Sequence, residues 1–318
     1  MPPIHLWVYN HLFHGIGDQV SFAVTAFRQH GYRVSVGRWP RHSSLNVVIE
    51  NFSSRNRDVL LEFCQSSRKR VAVIMTEHLD IEHGQIFFHG APLGSENDYM
   101  HPATILARIK HLLECLPYIR CFFVLGDLPE LRNMSTMLPG LDVRAIPFPH
   151  LDGIANKDID ASSDPVNDIV FTGVMTGYRV DLLGRLQARG LSVACPKGFV
   201  SRNRRNAMNR SAKVIVNIPQ REGWRWLSLM RIIAGLQTGQ ATISLGIGDV
   251  SQIASCCTQL DIQEQDWVSK VKQCVDDWKS LYDRDATNYS IMAKKFEQER
   301  PFPHDVFEYW SITDRVSC

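Results

Sequence analysis

The side chains with the clearest chemical potential lie between residues 211 and 244. Arg231 stands inside the apolar run Leu229–Ile233, where a guanidinium group is costly unless it is paired or faces a cleft. Guanidinium stays charged and binds phosphate or carboxylate oxygens with two parallel hydrogen bonds. We therefore predict that Arg231 binds an anionic ligand; a structural pair with Asp or Glu is the alternative.

Two polar residues precede Arg231 where one element gives way to the next. Asn217 ends an apolar run, just before Ile218 and Pro219. Its amide can bind a hydroxyl group or a heterocyclic base, and capping a turn is the alternative. Ser228 either contacts a phosphate group or caps the helix that follows.

A glycine turn, Thr172-Gly173, follows another apolar run and leads into a helix expected from Arg179 to Arg189. Backbone N–H groups at such a helix start bind phosphate oxygens without a charged side chain. Arg179 could neutralise the same phosphate group. The alternatives are an empty strand-to-helix turn, which every α/β unit contains, and a solvated arginine at the helix start.

The first half of the chain offers two candidate acids. Glu77 follows a continuous apolar strand, beside His78 and before Asp80, at the kind of sheet edge where ligands bind. Asp18 follows Gly17 in a predicted glycine loop after the first strand. Either carboxylate could act as a general base. The alternative for Glu77 is that it and its neighbours are ordinary polar loop residues. The alternative for Asp18 is a place in the first helical turn beside the helix dipole.

Alternating strands and helices must position these residues. Short apolar runs bounded by glycine or polar residues predict the strands, and apolar residues at helical spacing predict the helices. The expected strands are residues 4–9, 32–36, 45–50, 70–76, 120–125, 143–147, 168–173, 191–195, 213–218 and 241–244. This alternation predicts an α/β fold with parallel sheets in two Rossmann-like domains. Residues 152–165 are the predicted linker, and residues 80–100 a long loop.

Length, net charge, apolar runs and cysteine spacing limit the kinds of protein that this chain can be. The 318 residues suffice for two α/β domains, and a net charge of +2 indicates neither a nucleic-acid nor a membrane partner. No leader-like N-terminus and no apolar run of the ~18 residues that a membrane span needs is present, so we expect a cytoplasmic protein. The eight cysteines form no Cys-x-x-Cys pair. No paired zinc ligands occur either, so we expect no metal.

The second half resembles the donor domain of GT-B fold glycosyltransferases. The segments Asp168–Gly173, Gly177–Leu183 and Gly190–Val193 are similar to the opening of that domain, and Ala212–Ile218 with Met230–Ser244 to its later part. The likeness is greatest to the group related to spore-maturation and polysaccharide-synthesis enzymes. It covers residues 168 to 245, and the first half shares only the general pattern.

The resemblance implies a glycosyltransferase that moves a sugar from a nucleotide-sugar donor to an acceptor hydroxyl, with two parallel sheets facing a central cleft. Residues 1–151 would bind the acceptor, residues 152–300 the donor, and residues 301–318 would pack back on the first domain. The base would be Glu77 or Asp18. The donor is a substrate, and no further cofactor is expected. The donor contacts would be Gly17, Thr172, Gly173, Arg179, Asn217, Ser228 and Arg231.

Ala234 departs from the family pattern. Many retaining GT-B enzymes place two glutamates, seven residues apart, before the glycine of this helix, and Ala234 stands where the second is expected. The departure favours an inverting mechanism. It also permits a catalytically inactive GT-B-like binding or scaffold protein, and a Rossmann-type transferase with another donor is a third alternative.

The run Arg202–Arg210 places four arginines in and just after one short predicted helix. It could contact a lipid-linked acceptor or a membrane surface, and a solvated basic face is the alternative. No interleaved aromatic residues indicate nucleic-acid stacking. A glycan, a lipid-linked molecule and a small molecule all remain candidate acceptors.

Overall fold

The computed structural model describes residues 2–8, 13–50, 52–76, 79–82, 84–88, 91–93, 102–127, 141–151, 165–224, 227–246 and 248–316. The chain divides into two units. The first is Met1–Pro149 together with Phe296–Cys318, and the second is His150–Lys295. Most of the predicted linker, residues 152–164, lies outside the described residues.

A six-stranded sheet forms the centre of the first unit. Its strands are β1 (Ile4–Trp7), β2 (Val34–Gly37), β3 (Leu45–Ile49), β4 (Val71–Met75), β8 (Ile119–Leu125) and β9 (Asp142–Ile146). Their order is β2-β1-β3-β4-β8-β9, and every neighbouring pair is parallel. All residues of β3 and β4 are buried, because helices cover both faces of a parallel sheet.

In the described part of the chain, the helices that lie wholly in the first unit are α1 (Phe13–Gln29), α2 (Ser54–Ser67), α3 (Pro102–Cys115) and α9 (His304–Val316). Helix α9 packs on this sheet through Phe307. Its ring lies 5.2 Å from that of Phe123 in β8 and 5.7 Å from that of Phe27 in α1, between ring centroids. The C-terminal segment therefore contributes to the core of the first unit.

The predicted glycine loop before Asp18 is helical instead. Gly15 and Gly17 lie in α1, which begins at Phe13. Ile16 and Val20 are buried one turn apart, so the apolar face of the helix extends back past both glycines. Burial of this face outweighs the roughly 1 kcal/mol that each glycine costs in a helix relative to alanine.

The predicted long loop after residue 80 contains a small antiparallel sheet. Its strands are β5 (Leu79–Glu82), β6 (Gln85–Phe88) and β7 (Ala91–Pro92). Glu82 pairs with Gln85, so a two-residue turn joins β5 to β6, and Gly84 adopts φ = +77° there. Glycine favours such tight hairpin turns. Gly84, which lies in the predicted loop, is therefore part of a hairpin.

A five-stranded parallel sheet forms the centre of the second unit. Its strands are β10 (Asn167–Val170), β11 (Val193–Ala194), β12 (Ala212–Asn217), β13 (Ala241–Leu245) and β14 (Thr258–Leu260). Their order is β11-β10-β12-β13-β14, with parallel pairing throughout. Strand β14 was not predicted from the sequence.

Five further helices follow the strands of this half: α4 (Gly177–Ala188), α5 (Arg202–Arg210), α6 (Leu229–Thr238), α7 (Trp267–Asp276) and α8 (Trp278–Glu299). Two parallel sheets, one in each unit, confirm the predicted α/β fold class. That the two sheets face a common cleft stays a prediction. Within the described ranges, no helix is long and apolar enough to cross a bilayer.

Candidate functional site

Polar side chains meet at the carboxyl ends of the strands of the second sheet. Asn217 ends β12 and lies opposite Ser244 of β13 in the parallel register. Both side chains are buried, with Asn217 only 1% exposed. The Asn217 Nδ2 donates a hydrogen bond to Ser244 Oγ at 2.9 Å. This bond fixes the orientation of the amide and turns its oxygen away from Ser244.

Arg231 completes this chain of hydrogen bonds. It lies in the first turn of α6, and its Nη1 donates to Asn217 Oδ1. The guanidinium carbon also lies 5.3 Å from the ring centroid of Phe171, which directly follows β10. An aromatic ring stabilises a nearby cation through its negative face. Residues from three adjacent strand ends therefore hold one guanidinium group at the edge of the sheet.

Gly173 packs against the same group. A Cβ atom at this position would lie 2.5 Å from Phe171 Cζ and 3.0 Å from Arg231 Nη2. No real Cβ atom comes that close to a buried ring, so the Thr172-Gly173 turn requires glycine here. The structure thus brings together three of the predicted ligand contacts, Gly173, Asn217 and Arg231, and Thr172 precedes Gly173 in the same turn.

Arg179 has a different role from the predicted one. Its side chain is buried, 4% exposed, and it donates to three backbone carbonyls. Nη2 and Nε contact Ile218 O at 2.7 and 3.0 Å, Nε also contacts Pro219 O at 3.1 Å, and Nη1 contacts Val174 O at 2.6 Å. These bonds tie the loop after β10 to the loop after β12. Arg179 is therefore a positioning residue rather than an exposed ligand for a phosphate group.

Thr176 joins the same two loops. Its hydroxyl donates to Gln220 O at 2.8 Å and accepts from Arg179 N at 3.4 Å, which caps the start of α4. The helix begins at Gly177, two residues before the predicted start. The Thr172-Gly173 turn therefore precedes the cap of the helix, and Thr176 fixes where the turn ends.

Ser228 is the N-cap residue of α6 but makes no side-chain capping hydrogen bond, and its contact with a ligand stays a prediction. The neighbouring backbone is held from elsewhere, because Leu227 N donates to Asp249 Oδ2 at 3.1 Å. Asp249 also accepts from the backbone and hydroxyl of Ser251. This carboxylate fixes the segment that leads into α6.

Ala234, the position of the expected second glutamate, lies on the buried face of α6 and is 3% exposed. The next residue, Gly235, packs tightly on the sheet: a Cβ atom there would lie 2.7 Å from Thr242 Oγ1. A glutamate at residue 234 would therefore place its carboxylate in the core, which is costly without a partner.

A second polar group lies near the end of β13. Gly246 has φ = +74°, and a Cβ atom there would come within 2.8 Å of Tyr178 Oη. Burial, followed by the charge of Glu222, raises the pKa of Tyr178. Glu222 accepts a hydrogen bond from Gln263 Nε2 at 3.4 Å. A carboxylate, an amide and a hydroxyl are suitable groups to bind the hydroxyls of a ligand.

Of the two predicted acids of the first unit, the structure describes only Asp18. Glu77 and its neighbour His78 lie outside the described residues. Asp18 and Gly17 lie within α1, and Asp18 follows the first helical turn, so neither the loop nor the first-turn alternative describes it.

The end of β3 instead carries a buried carboxylate that the sequence did not indicate. Glu50 accepts from Arg108 Nε at 3.1 Å, and Arg108 Nη2 donates to its second oxygen. Thr76, at the end of β4, also donates to Glu50 at 3.4 Å. This ion pair joins α3 to the carboxyl ends of β3 and β4, the edge at which Glu77 follows in sequence.

Sequence reasoning also missed Phe171 and Ser244. Both residues lie in apolar runs of the sequence. Such a run does not indicate that the Phe171 ring supports a guanidinium group or that the Ser244 hydroxyl orients an amide. No group of three or more His, Cys, Asp or Glu side chains that could hold a metal ion occurs in the part of the chain that the structure describes.

No protein-family model matches this chain, and no curated protein is significantly similar to it in sequence. Its structure is similar to that of a DNA-modifying β-glucosyltransferase, at 10% identity over 93% of this chain and 98% of that one, with a TM-score of 0.49. A UDP-forming trehalose-phosphate synthase from Burkholderia vietnamiensis is 9% identical over 85% and 75%, with a TM-score of 0.48. An α1,3-fucosyltransferase is 10% identical over 90% and 82%, with a TM-score of 0.42. At these values, none of the similarities assigns the chain to a family.

Proposed function

We propose that this chain is a glycosyltransferase that uses a nucleotide-sugar donor, whose diphosphate binds at the carboxyl edge of the second sheet. The observation that carries the proposal is the orientation of Arg231 by Asn217 and Phe171. An amide oxygen and a ring, neither of which carries a negative charge, direct the guanidinium group. A diphosphate is the ligand that such a group suits best, since two parallel hydrogen bonds match two phosphate oxygens.

The surrounding residues support this role. Gly173 lies against Arg231 Nη2, and the absence of a side chain allows a phosphate group to approach the backbone of the turn. Thr172 and Ser228 supply hydroxyls beside the turn and the helix start. Glu222 and Tyr178 could bind the hydroxyls of the ribose or the sugar, in place of the glutamate that Ala234 replaces.

The acceptor and the base are assigned to the first unit. Glu77 or Asp18 would remove the proton from the acceptor hydroxyl, as an inverting displacement requires. We infer a metal-independent reaction in which Arg231 and backbone N–H groups, rather than a metal ion, stabilise the departing diphosphate. The resemblance to polysaccharide-synthesis enzymes favours a glycan or a lipid-linked acceptor, and a cytoplasmic site of action.

Calorimetric titration with UDP, GDP, ADP and TDP tests the assignment. Arg231→Ala should abolish binding of whichever nucleotide the wild-type protein takes up, while its melting temperature changes little. Arg231→Lys should bind with intermediate affinity, because lysine keeps the charge but loses the planar fork. Arg189→Ala, at an exposed position in the same unit, is the control. Unchanged affinity in Arg231→Ala would sink the assignment.

A catalytically inactive binding protein of the same fold is the second candidate, and the buried Ala234 favours it. Both candidates bind the nucleotide, so activity separates them. Incubation with a panel of nucleotide sugars should give slow release of the nucleoside diphosphate if the chain is an enzyme. Binding without release would support the inactive protein, and binding of neither would favour a transferase with another donor.

A further inference from the structure

The second unit contains a long segment without acidic residues. The forty residues from Leu182 to Arg221 include nine lysines and arginines and no aspartate or glutamate. The whole chain has nearly equal numbers, 35 basic and 33 acidic residues. The surplus of positive charge in this segment is therefore local and is offset elsewhere in the chain.

These cations lie on the elements before and after one edge strand of the second sheet. β11 is that edge strand, and the chain runs through it from the end of α4 to α5, which packs on β12 and α6. Six of the basic side chains are exposed. One of them, Arg185, lies over the ring of Trp267 in α7, and the other five are Arg189, Lys197, Arg202, Arg204 and Arg210. We call these five residues the basic edge.

The opposite edge of the same sheet is acidic. β14 is the other edge strand, and it is followed by Asp261, Glu264 and Asp266, all before α7. Lys270 is already paired with two of these, Glu264 and Asp266. The basic segment and this acidic segment therefore lie on different parts of the second unit, so an anionic surface would be attracted to one and repelled from the other.

An exposed aromatic residue lies within the basic edge. Phe199 is 76% exposed and stands between Lys197 and Arg202 in sequence, just before α5. It is also the only aromatic residue among the forty. An aromatic side chain beside lysines and arginines is typical of segments that lie in the interface of an anionic bilayer, where the ring enters the headgroup region and the cations meet the headgroups.

We infer that the basic edge and Phe199 dock this protein on an anionic phospholipid surface. Nucleic acid fits the segment less well, because single-stranded binding uses several aromatic residues as stacking platforms and the segment has one. The inference does not depend on the proposed glycosyltransferase activity. If both hold, docking would bring the second unit to a lipid-linked acceptor.

Co-sedimentation of the full chain with vesicles tests the inference. We expect binding to phosphatidylcholine vesicles that contain phosphatidylserine, little binding to phosphatidylcholine alone, and loss of binding as salt is raised. Arg204→Glu with Arg210→Glu should weaken binding by at least tenfold, since each cation near such a surface contributes roughly fivefold. Phe199→Ser should weaken it by a smaller factor.

Lys272→Glu with Lys279→Glu is the matched control, because both lysines are exposed in the same unit and the total change in charge is equal. The control should bind as the wild type does. Three results would each overturn the inference. The two double variants lose binding equally, the wild type binds neutral and anionic vesicles equally, or the wild type binds an oligonucleotide but no vesicles. Titration of the same variants with nucleotides tests the proposed function separately from vesicle binding, so that failure of one can be told from failure of the other.

Discussion

Asn217 determines what Arg231 can do. Its amide nitrogen is committed to Ser244, so the oxygen faces the guanidinium group. A carboxylate in the same place would orient Arg231 equally well, but it would also neutralise the charge that a phosphate group needs. An uncharged acceptor at this position therefore orients the guanidinium group without adding a negative charge beside it.

Asn217→Asp tests this point with almost no change in shape. We expect nucleotide affinity to fall by about tenfold or more, equivalent to ~1.4 kcal/mol, because the new carboxylate competes with the diphosphate for Arg231. Calorimetric titration measures the affinity, and urea unfolding shows whether the fold is retained. Ser244→Ala is the control, since it removes a partner of Asn217 without adding charge. Equal affinity in Asn217→Asp and wild type would contradict the role given to the amide.

Gly173 offers a second test at the scale of one residue. Gly173→Ala should lower the free energy of unfolding by roughly 1–3 kcal/mol and weaken nucleotide binding, because the new methyl group overlaps the buried Phe171 ring and displaces Arg231. Gly177→Ala is the matched control: nothing lies within 4 Å of its added methyl group. Urea unfolding of both variants should show a loss in the first only. Equal stability of the two would show that the turn can relax.

At the scale of elements, α8 lies against the sheet through a buried carboxylate. Asp285 is fully buried, and its Oδ1 accepts from Arg284 Nη2 at 2.6 Å and Nε at 2.9 Å. Burial raises the pKa of Asp285 to about 6, and the hydrogen bonds from Arg284 oppose this only in part. The folded protein therefore binds a proton at Asp285 more tightly than the unfolded chain does.

This pKa predicts a pH dependence of stability. The contribution of protonated Asp285 is fully present below about pH 4 and is lost as the pH rises through about 6, a change of roughly 3 kcal/mol. Asp285→Asn stays neutral, so the free energy of unfolding of the wild type relative to this variant should fall between pH 4 and pH 7. Urea unfolding across this range measures the difference. A constant difference would show that Asp285 is not protonated in the folded state.

The elements themselves were predictable to different degrees. Short continuous apolar runs bounded by polar residues, such as β4 and β12, favour buried strands, so their positions follow from the sequence. The start of α1 does not, because Gly15 and Gly17 favour a loop locally and only the burial of Ile16 makes the segment helical. Strand β14 is half-buried and short, and its pairing with β13 depends on contacts that no local pattern records.

The candidate site was predictable where a residue conflicts with its surroundings. Arg231 in an apolar helix is such a conflict, and the structure places its guanidinium group against Asn217 and Phe171. Arg179 shows the limit of this reasoning, since a solvated arginine and one bonded to three carbonyls have the same sequence pattern. Glu50 shows it too, because its partner Arg108 lies far along the chain.

At the scale of the whole molecule, the chain returns to its first unit at residue 296. Phe307 of α9 stacks with Phe123 and packs edge-on against Phe27, so residues from both ends of the chain form one core. The second unit is a single continuous stretch between them. Damage to α9 should therefore affect the first unit and leave the nucleotide site of the second unit intact.

Phe307→Ala tests this division. We expect the variant to lose about 3–5 kcal/mol of stability, because a fully buried ring leaves a cavity among Phe27, Phe123 and Phe302. Calorimetric scanning should show this loss in one transition, while a second transition and the nucleotide affinity stay at their wild-type values. Tyr309→Ala, an exposed position on the same helix, should change neither transition by more than about 1 kcal/mol. If both transitions moved together in Phe307→Ala, the two units would unfold as one, and α9 would stabilise the nucleotide site as well as the first core.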